Sequence, residues 1–429
     1  MAAWTAAVAV LAGAAAGANA CGSGGGAPAG SASGTPAGSA GAASSAPASG
    51  GSPTAAGAPS GAGTSAPGAA NPARPGSSEA APANAAACTR ARLASWPVRR
   101  LALLTVAVPA PETDPAQAVP EVADGAGGVI LFGSSAPADL GSRISALRAH
   151  VPGGHGLLVM TDEEGGGVQR MANLVGSLPW AAWMGQHWSA GRIESEAART
   201  GARMAAAGVN MDLAPVADVD GRQVPPGPTD PDGLRSFSGD PGKAGEDAAA
   251  FARGLRRAGV IPVLKHFPGL GGSTANSDDT SAATLPWAQL RTRGLPPFRA
   301  GIDAGAPAVM VANNSVPGLS AGPAGLSSAA VGQLREGLGF RGLVLTDSLS
   351  AGAIGKAGYT VPSAAVQALR AGADMVMFDL ASAATTEETT RSIADAVTAA
   401  VSRGTLSRDR LLDAAASVLA VRQVDLCGK

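Results

Sequence analysis

The chain has 429 residues, and its 31 basic and 32 acidic side chains leave a formal charge of −1. A balance this close to zero supplies no basic field for a phosphate backbone, so nucleic acid is disfavoured as a partner. Only 15% of the residues are charged, whereas Gly and Pro number 60 and 32. Small residues are most abundant in the first part of the chain, which predicts that this part and the rest of the chain differ in structure.

The first twenty residues are predicted to be a signal peptide. They form an apolar stretch that ends in Ala18-Asn19-Ala20, a small-x-small cleavage pattern, directly before Cys21. An uncleaved membrane anchor is the alternative, because the stretch is just long enough to span a bilayer and no Lys or Arg precedes it. Cys21 stands where a bacterial lipoprotein carries its diacylglyceryl group, although Ala18 replaces the usual Leu. We therefore expect an exported lipoprotein on the outer face of the cytoplasmic membrane, held there only through Cys21, with secretion as the alternative.

Residues 21–87 are predicted to be a flexible linker. They consist almost wholly of Ala, Gly, Ser, Pro and Thr, which cannot bury enough apolar surface to offset the entropy of ordering the chain. Residues 88–429 remain as one folded unit, about the length of a (β/α)8 barrel with additions.

Apolar runs rich in Val, Ile, Leu and Met recur through the folded unit and alternate with helix-like segments. The runs are continuous, as expected for strands that are buried on both faces. They comprise Leu101–Val108, Gly128–Phe132, Leu157–Thr161, Val209–Leu213, Val260–Lys265, Ala308–Ala312, Leu343–Thr346 and Asp374–Phe378. Eight such units predict an α/β fold, a single (β/α)8 TIM-type barrel, with a doubly wound open sheet as the alternative.

The cysteine positions agree with a closed barrel. Cys88 opens the folded unit and Cys427 stands near its end, and the termini of a barrel lie near each other. A disulfide between them is expected, although the sequence does not prove the pairing. Cys21 is then the cysteine left over from an odd count of 3.

Polar side chains follow several of the predicted strands. In a barrel, such groups at the carboxyl ends of strands face the active-site mouth. The strand-end groups are Asp162-Glu163-Glu164, Asp212, Asp218, Lys265-His266 and Asp347. A mouth lined by carboxylates, Lys and His suits a polyhydroxylated substrate, because each group can hydrogen-bond a sugar hydroxyl. The 4 scattered His residues offer no spacing for a metal site, and no cofactor is expected.

Six motifs resemble bacterial β-N-acetylglucosaminidases of glycoside hydrolase family 3. The resemblance runs in family order from Leu101 to Asp379, and the KHFPG motif with EGG upstream and T-D-x-L-S downstream is its most specific part. The motifs are Gly127–Phe132, Thr161–Arg170, Asp212–Asp218, Arg235–Pro241, Lys265–Gly269 and Leu345–Ser350.

The resemblance implies a retaining glycosidase that removes terminal β-linked N-acetylglucosamine from cell-wall or chitin-derived saccharides. It makes Asp347 the nucleophile. It also makes Asp162, Arg235, Lys265 and His266 the groups that hold the sugar. A small saccharide is the implied partner, and a monomer is the expected state.

The loop after the KHFPG motif departs from the family pattern. In the single-domain branch, this loop reads KHFPGHG and then DSH, in which the His is the acid/base and the Asp is its partner. Here Leu270 replaces the first His, Asn276 replaces the Asp, and Asp278 stands where the catalytic His is expected. In addition, Gly167 replaces the Arg of the usual EGGRV.

Three interpretations of this loop remain open. In the first, Asp278 is the acid/base, with a pKa raised by a neighbouring carboxylate and a closing loop, and Asn276 orients it. In the second, the leaving group needs little protonation, or an external nucleophile is used. In the third, turnover is lost and a sugar-binding lipoprotein remains. A β-glycosidase acting on another sugar is a further alternative.

Overall fold

Eight parallel strands close into a barrel in the computed structural model, which describes residues 80–428. Pairing of Val106 with Val376 joins the first strand to the last and closes the barrel. The strands are β1 (Val106–Pro111), β2 (Gly128–Phe132), β3 (Leu158–Thr161), β4 (Met211–Asp212), β5 (Ile261–Phe267), β6 (Ala308–Val311), β7 (Leu343–Ser348) and β8 (Met375–Met377). The predicted (β/α)8 fold is confirmed, and the open sheet is wrong.

Helices precede and separate the strands. They are α1 (Ala80–Leu93), α2 (Val98–Leu104), α3 (Val119–Asp124), α4 (Leu140–Arg148), α5 (Ala172–Val175), α6 (Ala181–His187), α7 (Ala190–Ala206), α8 (Pro241–Arg257), α9 (Trp287–Arg293), α10 (Leu295–Asp303), α11 (Ser328–Gly332), α12 (Gly352–Lys356), α13 (Val361–Ala371), α14 (Ala383–Ser402) and α15 (Arg408–Val421). Several begin at side-chain caps: the Ser189 hydroxyl accepts from the Arg192 N–H, and the Asp240 carboxylate accepts from the Lys243 N–H. These caps satisfy backbone donors that have no partner inside the helix.

The first strand begins later than the sequence predicts. The predicted run Leu101–Val108 divides between α2 and β1, because residues 101–104 are helical. Leu101 is fully buried on α2, which packs against α14 and α15. A short apolar run does not distinguish a buried helix from a buried strand, so the pattern alone could not place this boundary.

The front of the described chain is helical. The helix α1 begins at Ala80, so residues 80–87, which were assigned to the linker, form its first turns. The signal peptide, Cys21 and the rest of the linker lie outside the described residues. Within residues 80–428, no helix has both the length and the apolar character needed to cross a bilayer.

A disulfide joins the two ends of the barrel domain. Cys88 on α1 is bonded to Cys427, with their Cα atoms 6.2 Å apart and a sequence separation of 339. The same two ends also meet through hydrogen bonds, because the Thr89 hydroxyl accepts from the Leu426 N–H. The bond therefore fixes α1 against the chain that follows α15.

Reduction of this disulfide should lower the free energy of unfolding by about 2–5 kcal/mol, because the unfolded chain regains a long open loop. Chemical denaturation of the full chain, with and without reductant, measures the loss. The Cys88→Ser variant is the control, since reductant should then change nothing further. Free thiols at Cys88 and Cys427 in peptide maps of the unreduced protein would contradict the expected closure.

Candidate active site

Asp347 lies at the carboxyl end of β7, at the mouth of the barrel, and is half-buried. Its Oδ1 accepts a hydrogen bond from the Ser348 N–H at 2.7 Å. The Ser348 hydroxyl in turn donates to Asp379 Oδ1 at 2.7 Å. The Asn313 amide donates to the Ser348 carbonyl at 2.6 Å and fixes this corner of the backbone. Asp347 is thus held in a defined orientation with one carboxylate oxygen left for chemistry.

A network of buried ion pairs lies across the mouth from β7. Lys265 Nζ lies 2.7 Å from Asp162 Oδ1 and 2.6 Å from Glu164 Oε1. Arg235 contacts both oxygens of Glu164, each at 2.8 Å, through Nε and Nη2. The ends of β3 and β5 and the loop after β4 therefore meet at Glu164, which holds both cations in place.

Charge keeps the carboxylates of this network ionised. Burial alone would raise the pKa of Glu164, but the charges of Arg235 and Lys265 overcome that effect and hold the pKa well below its usual value. Burial likewise opposes ionisation of Asp162, and the charges of Lys265 and Arg170 lower its pKa. Asp162 can therefore accept hydrogen bonds from sugar hydroxyls, while Lys265 and Arg235 offer donors.

His266 is fixed in one tautomer by its neighbours. Its Nδ1 lies 2.7 Å from Oδ2 of the fully buried Asp218, and its Nε2 lies 3.3 Å from Arg235 Nη2. Because a guanidinium only donates, Nε2 must be the acceptor and Nδ1 the donor. Both ring nitrogens of His266 are thus engaged, one by Asp218 and the other by Arg235.

Asp218 also anchors the loop that follows β5. Its Oδ1 accepts from the backbone N–H of His266 at 3.1 Å and from that of Leu270 at 2.8 Å. The family pattern has a His at position 270, where this chain has a buried Leu. The backbone N–H of this Leu binds Asp218. The base of the loop is thus tied to His266 through this one carboxylate.

The same loop docks on the chain that follows Asp347. The Gly352 N–H donates to the Asp278 carbonyl at 2.7 Å, and the Ala353 N–H donates to the Ser277 carbonyl at 3.0 Å. A Cβ at Gly352 would lie 2.5 Å from the Asp279 carbonyl oxygen, so only Gly permits this approach. The loop is therefore held against the start of α12, immediately beyond the β7 end.

Asp278 is the titratable group that this docking brings to the mouth. The side chain of Asp278 is exposed. The surrounding protein nevertheless displaces part of its water, and this desolvation raises the pKa of Asp278 to about 7. The negative charges of Asp347 and Asp379 act in the same direction. Asn276 does not contact the Asp278 carboxylate in this arrangement. Its Oδ1 accepts from the Asp278 backbone N–H at 3.0 Å, so it shapes the turn that carries Asp278.

Two of the strand-end carboxylates support the mouth from below. Asp212 is fully buried and accepts from the Glu163 N–H at 3.0 Å. Glu163 accepts from the Met171 N–H at 2.5 Å and from the Gln169 side chain at 2.8 Å. Both hold the hairpin after β3, in which Glu163–Gly165 pairs with Val168–Gln169.

Four residues of this site could not be assigned from the sequence. The sequence pattern places Glu164 and Asp218 at strand ends but gives neither a role; in the structure Glu164 holds Lys265 and Arg235, and Asp218 holds His266. Arg170, whose Nη2 lies 3.6 Å from Asp162 Oδ2, closes the Thr161–Arg170 motif. That motif was the available signal for Arg170, whereas nothing in the sequence pointed to Asp379.

Replacing Arg235 by Met should lower the free energy of unfolding by about 3 kcal/mol, because Glu164 is left buried with only Lys265 to balance it. Urea denaturation of the full chain measures the loss. Arg253→Met, which removes an exposed guanidinium from Glu194, is the control and should cost at most about 1 kcal/mol. Equal losses for the two variants would contradict the role of Glu164 as the centre of the network.

The fold agrees with comparisons to known proteins. The protein family described as "Glycosyl hydrolase family 3 N terminal domain" matches residues 103–421 of this chain. "Beta-hexosaminidase LpqI" of Mycobacterium tuberculosis is 39% identical over an alignment of 265 residues, and the alignment covers 58% of this chain and 66% of the relative.

Solved structures give the same result. A family 3 glycosyl hydrolase from Mycobacterium smegmatis matches with a TM-score of 0.68 and 37% identity, over 77% of this chain and 98% of that one. A β-N-acetylhexosaminidase from Beutenbergia cavernae matches with a TM-score of 0.69 and 31% identity, over 77% of this chain and 100% of that one. Since the family match spans most of the sequence, the chain belongs to glycoside hydrolase family 3, through the N-terminal barrel domain of that family.

Proposed function

We propose that this protein hydrolyses terminal β-linked N-acetylhexosaminides with retention of configuration. The observation that carries the proposal is the docking of the Asp278 loop on the segment that follows Asp347. A retaining glycosidase needs two carboxyl groups that flank the scissile bond, one as nucleophile and one as acid/base. The printed names of the relatives, a beta-hexosaminidase and a β-N-acetylhexosaminidase, support this sugar class.

In the first half-reaction, an oxygen of Asp347 attacks the anomeric carbon and forms an ester with the sugar. The bond to the leaving oxygen breaks, and protonated Asp278 gives that oxygen its proton. In the second half-reaction, ionised Asp278 takes a proton from a water molecule as that water attacks the same carbon. The Asp347 ester breaks, which frees the sugar and restores both carboxyl groups.

The ion-paired network holds the sugar while this happens. Asp162 accepts from sugar hydroxyls, and Lys265 and Arg235 donate to them in orientations that Glu164 fixes. His266 packs against Arg235 and completes the set. Because these side chains are already paired and buried, little rotamer freedom is lost when the sugar binds.

The location of the enzyme follows from the front of the sequence. We propose export, cleavage before Cys21, lipidation of Cys21, and a tether of Ala, Gly, Ser and Pro that lets a monomeric barrel reach cell-wall or chitin-derived saccharides. Mass analysis of the mature protein for a diacylglyceryl group on Cys21 tests this part independently of the activity.

Hydrolysis of an aryl β-N-acetylglucosaminide by the purified full chain tests the proposed reaction. The aryl β-glucoside and β-galactoside serve as matched substrates that differ only in the sugar. Turnover of the N-acetylglucosaminide well above the other two is the expected result. Preference for another sugar would overturn the substrate class, and absence of turnover with N-acetylglucosamine still raising the Tm would favour a sugar-binding lipoprotein.

A further inference from the structure

We propose that aromatic side chains on and beside α6 form a second saccharide-binding surface, for the part of a glycan chain that extends out of the mouth. This aromatic platform consists of Trp180, Trp183, His187 and Trp188. It contains half of the 6 tryptophans in the chain. The proposal rests on the proposed function, because it adds a binding surface for the rest of the same substrate.

Trp183 presents an open aromatic face that its neighbours hold in place. The side chain is 43% exposed, which is unusual for Trp in a folded domain. One face stacks on the His187 ring, with 4.3 Å between centroids and 16° between planes. Trp188 meets it edge-on at 5.7 Å. A ring already fixed in this way loses little freedom when a ligand stacks on its other face.

The platform is continuous with the sugar-holding groups on two sides. The helix α6 contacts the turn Gly233–Arg235, which carries the Arg235 side chain into the ion-pair network. Gln186 on α6 donates to Gln223, on the loop that leads to that turn, at 2.9 Å. On the other side, Trp180 packs on the hairpin of residues 163–169. Asp162 directly precedes this hairpin in sequence, and Arg170 directly follows it.

Gly167 makes the contact between Trp180 and the hairpin possible. A Cβ at this position would lie 2.8 Å from Trp180 Cη2, and one at the neighbouring Gly166 would lie 2.0 Å from Trp180 Cδ2. The family pattern has an Arg where this chain has Gly167. The departure from EGGRV therefore leaves room for an indole ring at the rim, next to the sugar-holding groups.

The chemistry of the platform fits a neutral β-linked oligosaccharide. A pyranose ring exposes C–H groups that pack on a flat aromatic face, while the indole N–H of the exposed Trp183 can bind a hydroxyl or acetamido oxygen. Such a surface adds affinity for long chains without contributing to the chemical step. The ligand class is a β-1,4-linked chain of N-acetylglucosamine longer than two sugars.

Kinetics with short and long substrates test this surface. With the full chain, Trp183→Ala should raise the KM for N-acetylchitohexaose about five-fold relative to the KM for the aryl monosaccharide. Trp183→Phe should restore most of the loss, because the aromatic face is kept. Val224→Ala removes an equally exposed apolar side chain, 43% exposed, and should leave the ratio of the two KM values unchanged. An equal rise for both substrates, or no rise, would overturn the proposal.

Co-sedimentation with insoluble chitin gives a readout that needs no turnover. Trp183→Ala should reduce the bound fraction, whereas Trp183→Phe and Val224→Ala should not. Failure of the wild-type chain to hydrolyse the aryl glycoside would count against the proposed function alone. Retention of Trp183→Ala on chitin equal to that of the wild type would count against the platform alone.

Discussion

Replacement of Asp347 by Asn should abolish hydrolysis of aryl β-N-acetylglucosaminides and leave the barrel folded. The amide cannot form the ester with the anomeric carbon, so kcat should fall roughly 10⁴-fold or more. The Asn side chain keeps the shape of Asp and its oxygen can still accept from the Ser348 N–H. Initial rates at saturating substrate measure the loss, and an unchanged Tm shows that the fold is intact.

Asp379→Asn is the matched control for this experiment. Asp379 is a carboxylate at the end of the neighbouring strand and accepts a hydrogen bond from the same Ser348. The Asp379→Asn replacement should reduce the rate far less than the Asp347→Asn replacement does, because Asp379 forms no bond to the sugar. Substantial activity in the Asp347 variant, together with a dead Asp379 variant, would reverse the assignment.

Asp278→Ala should slow hydrolysis in proportion to how much the leaving group needs a proton. Loss of a general acid typically costs about 10²–10⁴-fold in rate, and the cost is smallest for activated phenols. Added azide should partly rescue activated substrates, because it attacks the glycosyl-enzyme without needing a base. Asp279→Ala, one position along the same exposed loop, is the control. Its rates should depend on the leaving group as those of the wild type do, and azide should not change them. Equal losses for all leaving groups, without rescue by azide, would remove Asp278 from this role.

The pH profile tests the same carboxyl group. Since desolvation by the surrounding protein and the charges of Asp347 and Asp379 raise the pKa of Asp278 to about 7, the carboxyl group stays protonated below that pH and loses its proton above it. The rate for substrates with poor leaving groups should therefore fall as the pH rises through about 7. This alkaline decline should be absent from Asp278→Ala, whose residual rate no longer depends on that proton.

The barrel could be predicted from the sequence because its strands are continuous apolar runs between helix-like segments. The run Gly128–Phe132 has the same bounds in the structure as in the prediction. The run from Leu101 does not, because buried leucines look alike on a helix and on a strand. The start of α1 at Ala80 was missed for a related reason, since its Ala-rich first turns resemble the linker in composition.

The residues of the candidate site could be predicted where a side chain stands directly at a strand end or within a family motif. Asp162, Lys265, His266 and Asp347 were found in this way, and Arg235 was found through its motif. Glu164 and Asp218 could not be given roles, because their roles depend on which distant side chains they meet across the mouth. The position of Asp278 depends on backbone contacts with α12, which a linear sequence does not reveal.

Trapping of the glycosyl-enzyme tests the central claim most directly. A 5-fluoro-N-acetylglucosaminyl fluoride should form the ester with Asp347 but release it slowly, so digestion and mass spectrometry should show one added sugar on the peptide that contains Asp347. The same digest of Asp347→Asn should carry no sugar. A chain that hydrolyses the substrate but carries the sugar on another residue, or forms no adduct at all, would contradict the retaining mechanism with Asp347 as nucleophile.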